Sequence, residues 1–249
     1  MINVAQNLKY IGPLATAYGK IDIISAKQKG IVVPNLTDYS TESVAEFSIA
    51  AILENIRQLE EGKKRGRDGN YSEAGLGARE IKNSVFGVIG LGSIGKRVAE
   101  IANGFGANMR YWSRQKKDAP FTYQDADALI AESDFISLNL AQTPETEGFL
   151  NKKRIQSLKS GAIVINTAPM ELVDINALTE RLAVGDITFI IDHSDEVSKE
   201  IMIKLSQFNN CIIYPPIAYI TDEARIIKQK MFVENIENFL KGSPTNRVN

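Results

Sequence analysis

The sequence predicts an α/β fold, in which helices cover both faces of a doubly wound parallel sheet. Three observations predict it. Six short and almost wholly apolar runs occur at 85–90, 108–112, 135–140, 162–166, 187–191 and 211–214. Segments with helical spacing separate these runs, and a glycine-rich loop follows the first of them. Strands without polar alternation are buried on both faces, as in a parallel sheet that lies between two layers of helices.

Helices are predicted between the strands and at both ends of the domain. Apolar residues at helical spacing favour helices at 96–102, 126–131 and 175–182, and longer ones at 41–62 and 222–240. The four cations that follow the first long helix, between residues 63 and 67, are interrupted by glycine. We interpret them as a solvated loop.

The first forty residues contain two predicted strands, 9–14 and 31–33, around a short helical stretch at 21–30. Two strands do not form a stable domain by themselves, so this segment must pack on the main domain or on another chain. We therefore divide the chain into a dinucleotide-binding domain, 39–221, and a smaller part formed by 1–38 with 222–249.

Composition excludes several classes of partner. The formal net charge of the 249 residues is −1, which gives no long-range attraction to nucleic acid or to an anionic membrane. No apolar run approaches the roughly 20 residues that span a bilayer, and the N-terminus lacks the features of a signal peptide. Cys211 is the only cysteine, which excludes an internal disulfide and fits a reducing compartment. The sequence thus predicts a cytoplasmic protein without nucleic-acid or membrane partners.

The stretch GVIGLGSIG, residues 87–95, carries three glycines at the G-x-G-x-x-G spacing, Gly90, Gly92 and Gly95. It closes a predicted strand and opens a predicted helix, the context in which this pattern binds a dinucleotide. The first glycine allows a tight turn, the second lets backbone approach a pyrophosphate, and the third lets helix pack on strand. The phosphates then meet free N–H groups at the helix start, near Ser93 and Ile94. A purely structural glycine turn is the alternative.

The next strand ends in MRYWSRQKK, which places Ser113 and Arg114 where the adenosine ribose is read. An acidic residue there would hydrogen-bond the ribose 2′-hydroxyl of NAD. Here no carboxylate is present to repel a 2′-phosphate, and Arg114, Lys116 and Lys117 can attract one. The sequence therefore predicts NADP(H) in preference to NAD(H), with ordinary loop cations as the alternative.

The motifs, in this order, resemble those of the D-isomer-specific 2-hydroxyacid dehydrogenases over nearly the whole chain. The matching segments are YSTESVAEFSIAAILENIR (39–57), GVIGLGSIGKRVA (87–99), TPETEGFLN (143–151), NTAPMELVD (166–174), IDHSDE (191–196) and YPPIAYITDEA (214–224). The resemblance implies hydride transfer between a nicotinamide and C2 of a 2-keto or 2-hydroxy acid, a homodimer, and a truncated flavodoxin-like substrate domain as the smaller part. It also implies cofactor contacts at Thr143, Thr167, Ala168 and Asp192.

The catalytic positions that the resemblance implies are occupied by residues without the corresponding chemistry. The family's arginine, which anchors the substrate carboxylate, and the glycine after it fall on Pro169 and Met170. Its histidine, the proton donor or acceptor, falls on Pro216. Its glutamate falls on or near Val197, with Glu196 one place away. Proline has no side-chain donor and no backbone N–H, so it cannot replace either group.

Three other side chains are candidates for a rebuilt proton donor. His193 is the only histidine and follows Asp192, but side chains alternate along a strand, so a non-catalytic His193 is the favoured interpretation. Tyr214 and Tyr219 flank the position of the missing histidine, and packing is the simpler interpretation of both.

Three hypotheses about function remain open. The first is a cofactor-binding pseudoenzyme, and the second is an NADP(H)-dependent reductase of a small keto acid or aldehyde with a rebuilt proton donor. The third is a structural partner of a full-length paralogue. The chain begins almost at LKYIGPLATAYGKID, where family members already have further strands and helices before it. Either Met1 is not the natural start, or the usual catalytic cleft is absent.

Overall fold

A computed structural model describes residues 2, 4–16, 18, 21–192 and 197–249. The chain divides into two compact units. The smaller unit consists of Met1–Ser43 with Tyr219–Asn249, and the larger unit is Val44–Ala218. That the smaller unit is the remnant of a substrate domain stays a prediction.

The larger unit is built on a sheet of seven parallel strands in the order β3-β2-β1-β4-β5-β6-β7. The strands are β1 (Val85–Ile89), β2 (Asn108–Trp112), β3 (Thr122–Tyr123), β4 (Phe135–Leu138), β5 (Ile163–Asn166), β6 (Thr188–Ile191) and β7 (Cys211–Ile213). The order reverses between β1 and β4, which is the topological switch point where doubly wound sheets bind their ligands. The predicted fold class is confirmed, and the six predicted strands are all present.

The sheet is buried on both faces. Along β5, Ile163 and Ile165 belong to one core while Val164, between them, belongs to the other. Successive side chains of a strand point to opposite faces, so an all-apolar strand supplies two cores at once. Every residue of β4 and β5 is buried, which is why these strands show no polar alternation.

Nine α-helices lie in the described part of the chain. They are α1 (Ile23–Gln28), α2 (Thr41–Arg57), α3 (Leu59–Arg67), α4 (Ser93–Gly104), α5 (Ala126–Glu132), α6 (Lys152–Ser157), α7 (Ile175–Val184), α8 (Lys199–Leu205) and α9 (Asp222–Leu240). Side-chain caps fix several of the starts. The Asp174 carboxylate accepts from the Ala177 N–H, and the Thr221 hydroxyl accepts from the Ala224 N–H.

Two local predictions about the region after residue 41 are wrong. The helix predicted at 41–62 ends at Arg57, because Gln58 takes a left-handed conformation with φ 49°. The cations at 63–67, interpreted as loop, lie in α3, which has no buried residue. An ion pair between Arg65 Nε and Glu61 Oε1 (2.8 Å) spans one turn of it, the spacing at which opposite charges support an exposed helix.

In the smaller unit, the predicted strands at 9–14 and 31–33 are not strands in the described residues. They are reduced to a single parallel bridge between Tyr10 and Val32. The C-terminal residue replaces part of the missing ladder, because the Asn249 side chain accepts from the Val33 N–H and donates to the Ile31 carbonyl.

Candidate functional site

The three glycines after β1 meet different surroundings. Gly90 has φ 96°, and a Cβ there would lie 2.7 Å from the Asn139 carbonyl oxygen. A Cβ on Gly95 would lie 2.0 Å from the Gly90 carbonyl oxygen. A Cβ on Gly92 would meet nothing within 4 Å. The first and third glycines are therefore required by the fold itself, while Gly92 faces open space.

The start of α4 is suited to an anion. Gly92 is the N-cap residue and has no side chain to satisfy the first N–H groups of the helix. Ser93 is exposed and Ile94 is half-buried, so the backbone at this end is accessible. Free N–H groups and the positive end of the helix dipole together favour a phosphate. The predicted residues Gly90, Gly92, Ser93, Ile94 and Gly95 thus form one loop.

Asn139, directly after β4, is a further polar group beside this loop that the sequence analysis did not identify. Its Nδ2 donates to the Ser137 carbonyl (3.1 Å) and hydroxyl (2.9 Å). Its Oδ1 is buried and has no hydrogen-bond partner in the described residues. A buried acceptor without a donor is costly, so this atom fits a donor supplied by a bound polar ligand. The sequence does indicate this residue in one way, because Asn139 is a polar residue near the end of a predicted strand, 135–140.

The end of β2 carries the residues predicted to select the cofactor. Ser113 is buried, and its hydroxyl donates to the Gln115 carbonyl (2.6 Å), which shapes the turn. Arg114 is exposed, and its Nη2 lies 3.4 Å from the Thr143 hydroxyl. The structure therefore brings Arg114 and Thr143 together from two different strand ends.

A carboxylate that the sequence analysis did not consider lies close to this pair. A hydrogen bond from Thr143 lowers the pKa of the exposed Glu145 carboxyl, and the nearby Arg114 guanidinium lowers that pKa further. Glu145 therefore shares the positive charge of Arg114. It is seven residues past the end of β4, in the TPETEGFLN segment.

At the end of β5, a buried amide organises the turn that contains Pro169. The Asn166 Oδ1 accepts from the Ala168 N–H (3.0 Å), and its Nδ2 lies 3.1 Å from the Met170 sulfur. Ala168 and Met170 are buried in the core, whereas Thr167 and Pro169 are half-buried. This strand end presents neither a charge nor a proton at position 169.

At the end of β6, Asp192 holds the segment that contains Pro216. Asp192 is 2% exposed, and its Oδ1 accepts from the N–H groups of Ile217 (2.9 Å) and Ala218 (3.0 Å). Val197 is half-buried and packs against the apolar core. The candidates His193 and Glu196 lie outside the described residues.

The two candidate tyrosines are in different units. The Tyr214 hydroxyl donates to the Glu54 carboxylate of α2 (2.6 Å), and its ring packs edge-on against Phe47. Burial raises the pKa of Tyr214, and the adjacent Glu54 raises it further, so this phenol stays protonated. Tyr219 belongs to the smaller unit.

The described residues contain neither a metal site nor a membrane-spanning helix. They contain no group of three or more His, Cys, Asp or Glu side chains placed to hold a metal ion. None of their helices has the length and apolar character needed to cross a bilayer.

The NAD binding domain of D-isomer specific 2-hydroxyacid dehydrogenases matches residues 49–218, which include all the strand ends described above. The chain belongs to the D-isomer specific 2-hydroxyacid dehydrogenase family. The resemblance seen in the motifs is confirmed, and the protein is a member of an oxidoreductase family with a dinucleotide-binding Rossmann domain.

Relatives of known name share most of the chain. A hydroxypyruvate reductase of Blautia hydrogenotrophica is 35% identical over 98% of this chain and 79% of its own length. The solved structure of an acyclic imino acid reductase in complex with NADPH and D-Arg has a TM-score of 0.91 at 30% identity, covering 100% of this chain and 81% of that one. A D-lactate dehydrogenase from Aquifex aeolicus, complexed with NAD and lactic acid, has a TM-score of 0.89 at 31% identity, with 98% and 80% covered.

Proposed function

We propose that this family member binds a nicotinamide dinucleotide, with NADP(H) preferred over NAD(H), and does not catalyse the ordinary 2-hydroxyacid dehydrogenase reaction. One observation supports the proposed absence of the ordinary dehydrogenase reaction. Pro169 and Pro216 stand where the resemblance places the catalytic arginine and histidine, in strand-end segments held by Asn166 and Asp192. This supports the proposed loss of activity, because neither proline offers a cation for a carboxylate or a proton for an alkoxide.

Elementary chemistry sets the size of the loss. An arginine binds a carboxylate through two parallel charge-assisted hydrogen bonds, and Pro169 can form neither. Reduction of a ketone requires a proton for the developing alkoxide, and a positioned acid is worth about 10²–10⁴-fold in rate. Pro216 has no proton to give. Reduction of a 2-keto acid is therefore expected to be slow even with cofactor bound.

The cofactor preference rests on the end of β2. Arg114, Lys116 and Lys117 are exposed, and a 2′-phosphate would complete the hydrogen bonds of the Arg114 guanidinium. The Glu145 carboxylate reduces the attraction between Arg114 and a 2′-phosphate. It follows Thr143 in the chain, however, and is not part of the turn after β2 that carries the three cations. We therefore expect a preference for NADP(H) that is moderate in size.

The binding half is tested by titrating NADPH and NADH while following the fluorescence of Trp112, the last residue of β2. The matched control is Gly92→Asp. Aspartate is a favourable N-cap residue and meets no clash at this position, but its carboxylate would repel the pyrophosphate. We expect saturable binding, tighter for NADPH, that is lost in the variant. Failure of both nucleotides to bind, confirmed by calorimetry, would contradict the proposal.

The catalytic half is tested by NADPH oxidation with glyoxylate and hydroxypyruvate. We expect a rate indistinguishable from that of the Gly92→Asp variant. Sustained turnover by the wild type alone would show that 2-keto acid reduction survives, and the proposed loss of activity would be wrong.

A second candidate function is the reduction of a C=N bond. The Tyr214 hydroxyl is held by Glu54, which leaves it poorly placed as a rebuilt donor, and one close structural relative is an imino acid reductase. A protonated imine already carries its proton. Hydride addition to the iminium carbon converts it to a neutral amine, while the cofactor is oxidised, and no acid is needed.

One comparison distinguishes an imine reductase from a keto acid or aldehyde reductase with a rebuilt proton donor. NADPH oxidation is measured with a 2-keto acid alone and then with the same acid plus methylamine, which form an imine together. Turnover only with the amine supports imine reduction. Equal turnover without it supports a rebuilt donor among Tyr214, Tyr219 and His193.

A homodimer and a cytoplasmic location complete the proposal. Three exposed apolar residues of α9 repeat every seven residues, Ile226, Val233 and Leu240, and so lie in one stripe that a second copy could cover. The third hypothesis, a structural partner of a full-length paralogue, would instead place another chain there. A purified homodimer that recruits no such chain would count against it.

A further inference from the structure

The smaller unit contains a cavity that is separate from the dinucleotide loop. It has a volume of about 230 Å³, lies at the N-terminal end of α9, and is lined by Tyr39, Tyr219, Ile220, Thr221, Arg225 and Lys228. All six residues belong to the smaller unit. Pockets for drug-sized ligands measure roughly 300–1,000 Å³, so this cavity suits a smaller molecule.

Lys228 gives the cavity an unusual charge. Its Nζ lies 5.3 Å from the ring centroid of Tyr39 and 5.3 Å from that of Tyr219, within the distance at which rings attract a cation. In the described residues it forms no hydrogen bond and no ion pair. A half-buried ammonium has three donors, and the two ring faces satisfy none of them as an oxygen would. The cavity therefore lacks an acceptor for this group.

The other lining groups add donors and an apolar wall. The Arg225 Nη1 meets a single acid, Asp222 Oδ1, at 3.3 Å, which leaves most of its five donors for another partner. Burial raises the pKa of Tyr39, and the neighbouring Tyr219 raises it further, so the Tyr39 phenol stays protonated. Ile220 and the two rings form the apolar part. Lys228 and Arg225 carry two positive charges and the neighbouring Asp222 carries one negative charge, so the cavity has a net positive charge.

We propose that this cavity binds a small organic carboxylate. The carboxylate oxygens accept hydrogen bonds from Lys228 and Arg225, and the flat or apolar body of the molecule packs against the two tyrosine rings and Ile220. Charge alone would suit any anion, but the aromatic lining favours one that carries an apolar group.

The experiment is calorimetric titration of the full chain with benzoate, with benzyl alcohol as a neutral molecule of similar size and inorganic phosphate as an anion without an apolar body. We expect saturable 1:1 binding of benzoate and much weaker binding of the other two. Lys228→Met should weaken benzoate at least about tenfold. Lys230→Met, on the same helix but exposed and near Glu234, is the matched control and should leave affinity unchanged.

Two further variants keep the test decisive. Arg225→Gln, at an exposed position, should weaken benzoate several-fold without a risk to folding. Gly92→Asp should leave it unchanged, because the dinucleotide loop is a separate site. The proposal is overturned if folded wild type does not bind benzoate, if Lys228→Met binds it equally well, or if benzyl alcohol or phosphate binds as tightly.

Discussion

Two glycines of one loop illustrate how a single residue can serve the fold or a ligand. A Cβ on Gly95 would penetrate the Gly90 carbonyl oxygen at 2.0 Å, and this atom belongs to backbone that cannot rotate away. A Cβ on Gly92 would enter open space. The G-x-G-x-x-G pattern does not distinguish these roles, whereas the structure separates them.

Because of this difference, the same substitution should have different effects at the two positions. Gly95→Ala should lower the free energy of unfolding by about 3 kcal/mol, because the strand and helix must move apart. Gly92→Ala should lower it by less than about 1 kcal/mol, the cost of a poorer N-cap residue, yet weaken NADPH. Urea unfolding and the Trp112 titration measure the two quantities. Equal stability losses in both variants would contradict this assignment.

Glu145 makes a separate prediction about cofactor choice. Because its carboxylate lies near Arg114, Glu145→Gln should strengthen NADPH binding several-fold, with little effect on NADH, and the gain should shrink at high salt. Glu147→Gln is the matched control, an exposed acid of the same turn. A gain of equal size for NADH would show that Glu145 does not act through the 2′-phosphate.

The raised pKa of Tyr214 should make the stability of the protein depend on pH in the alkaline range. The folded pKa of Tyr214 is raised above the ordinary value of 10.0, first by burial and then by Glu54. The contribution of a group with a raised pKa is present below the unfolded value and is lost as pH rises through the folded one. Stability should therefore fall above pH 10. Tyr214→Phe should lower the free energy of unfolding by about 1 kcal/mol at pH 7. Its free energy of unfolding should also decrease less steeply with pH than that of the wild type, as measured by urea unfolding from pH 7 to 11. Parallel curves for the two proteins would refute it.

At the scale of elements, apolar patterning was sufficient for six strands of the sheet and failed for its shortest strand and for the smaller unit. All six apolar runs are strands, and four of them, β1, β4, β5 and β6, are almost wholly buried, as expected for a sheet covered on both faces. The strand β3, Thr122–Tyr123, is exposed and only two residues long, so it leaves no apolar signal. The predicted strand at 31–33 is apolar but finds only a single bridge, between Val32 and Tyr10.

The Asp192 side chain joins the end of β6 to the segment after β7 by hydrogen bonds. Its buried Oδ1 accepts two backbone N–H groups from the segment after β7. Asp192→Ala leaves those donors without their acceptor and should cost about 2–4 kcal/mol of unfolding free energy. Asp192→Asn keeps an oxygen there and should cost less than half as much, whereas Asp118→Ala, at an exposed position, should cost under about 0.5 kcal/mol. Urea unfolding measures all three. A cost for Asp192→Ala no larger than that for Asp118→Ala would contradict this role.

For the whole molecule, the parts of the site that the sequence could predict are those formed by one continuous segment. The glycine loop and the residues at 113–114 are local, and their chemistry can be recognised from spacing alone. The contacts of Arg114 with Thr143, and of Tyr214 with Glu54, join residues 29 and 160 positions apart. Such contacts depend on the order of strands in the sheet and on helix placement, which no local pattern contains. The cavity around Lys228 was missed for the same reason.

The state of association follows from a surface rather than from a site. Ile226, Val233 and Leu240 are exposed in one stripe of α9, and a stable interface of roughly 1,000 Å² or more would bury them. We expect the wild-type chain to sediment as a dimer at micromolar concentration. Val233→Lys combined with Leu240→Lys should shift it to a monomer, because two charges would be desolvated at the centre of the interface. Ile203→Lys, an equally exposed apolar position on α8, should leave the dimer intact. A monomeric wild type, or a dimer that survives the double substitution, would show that this stripe does not join two copies.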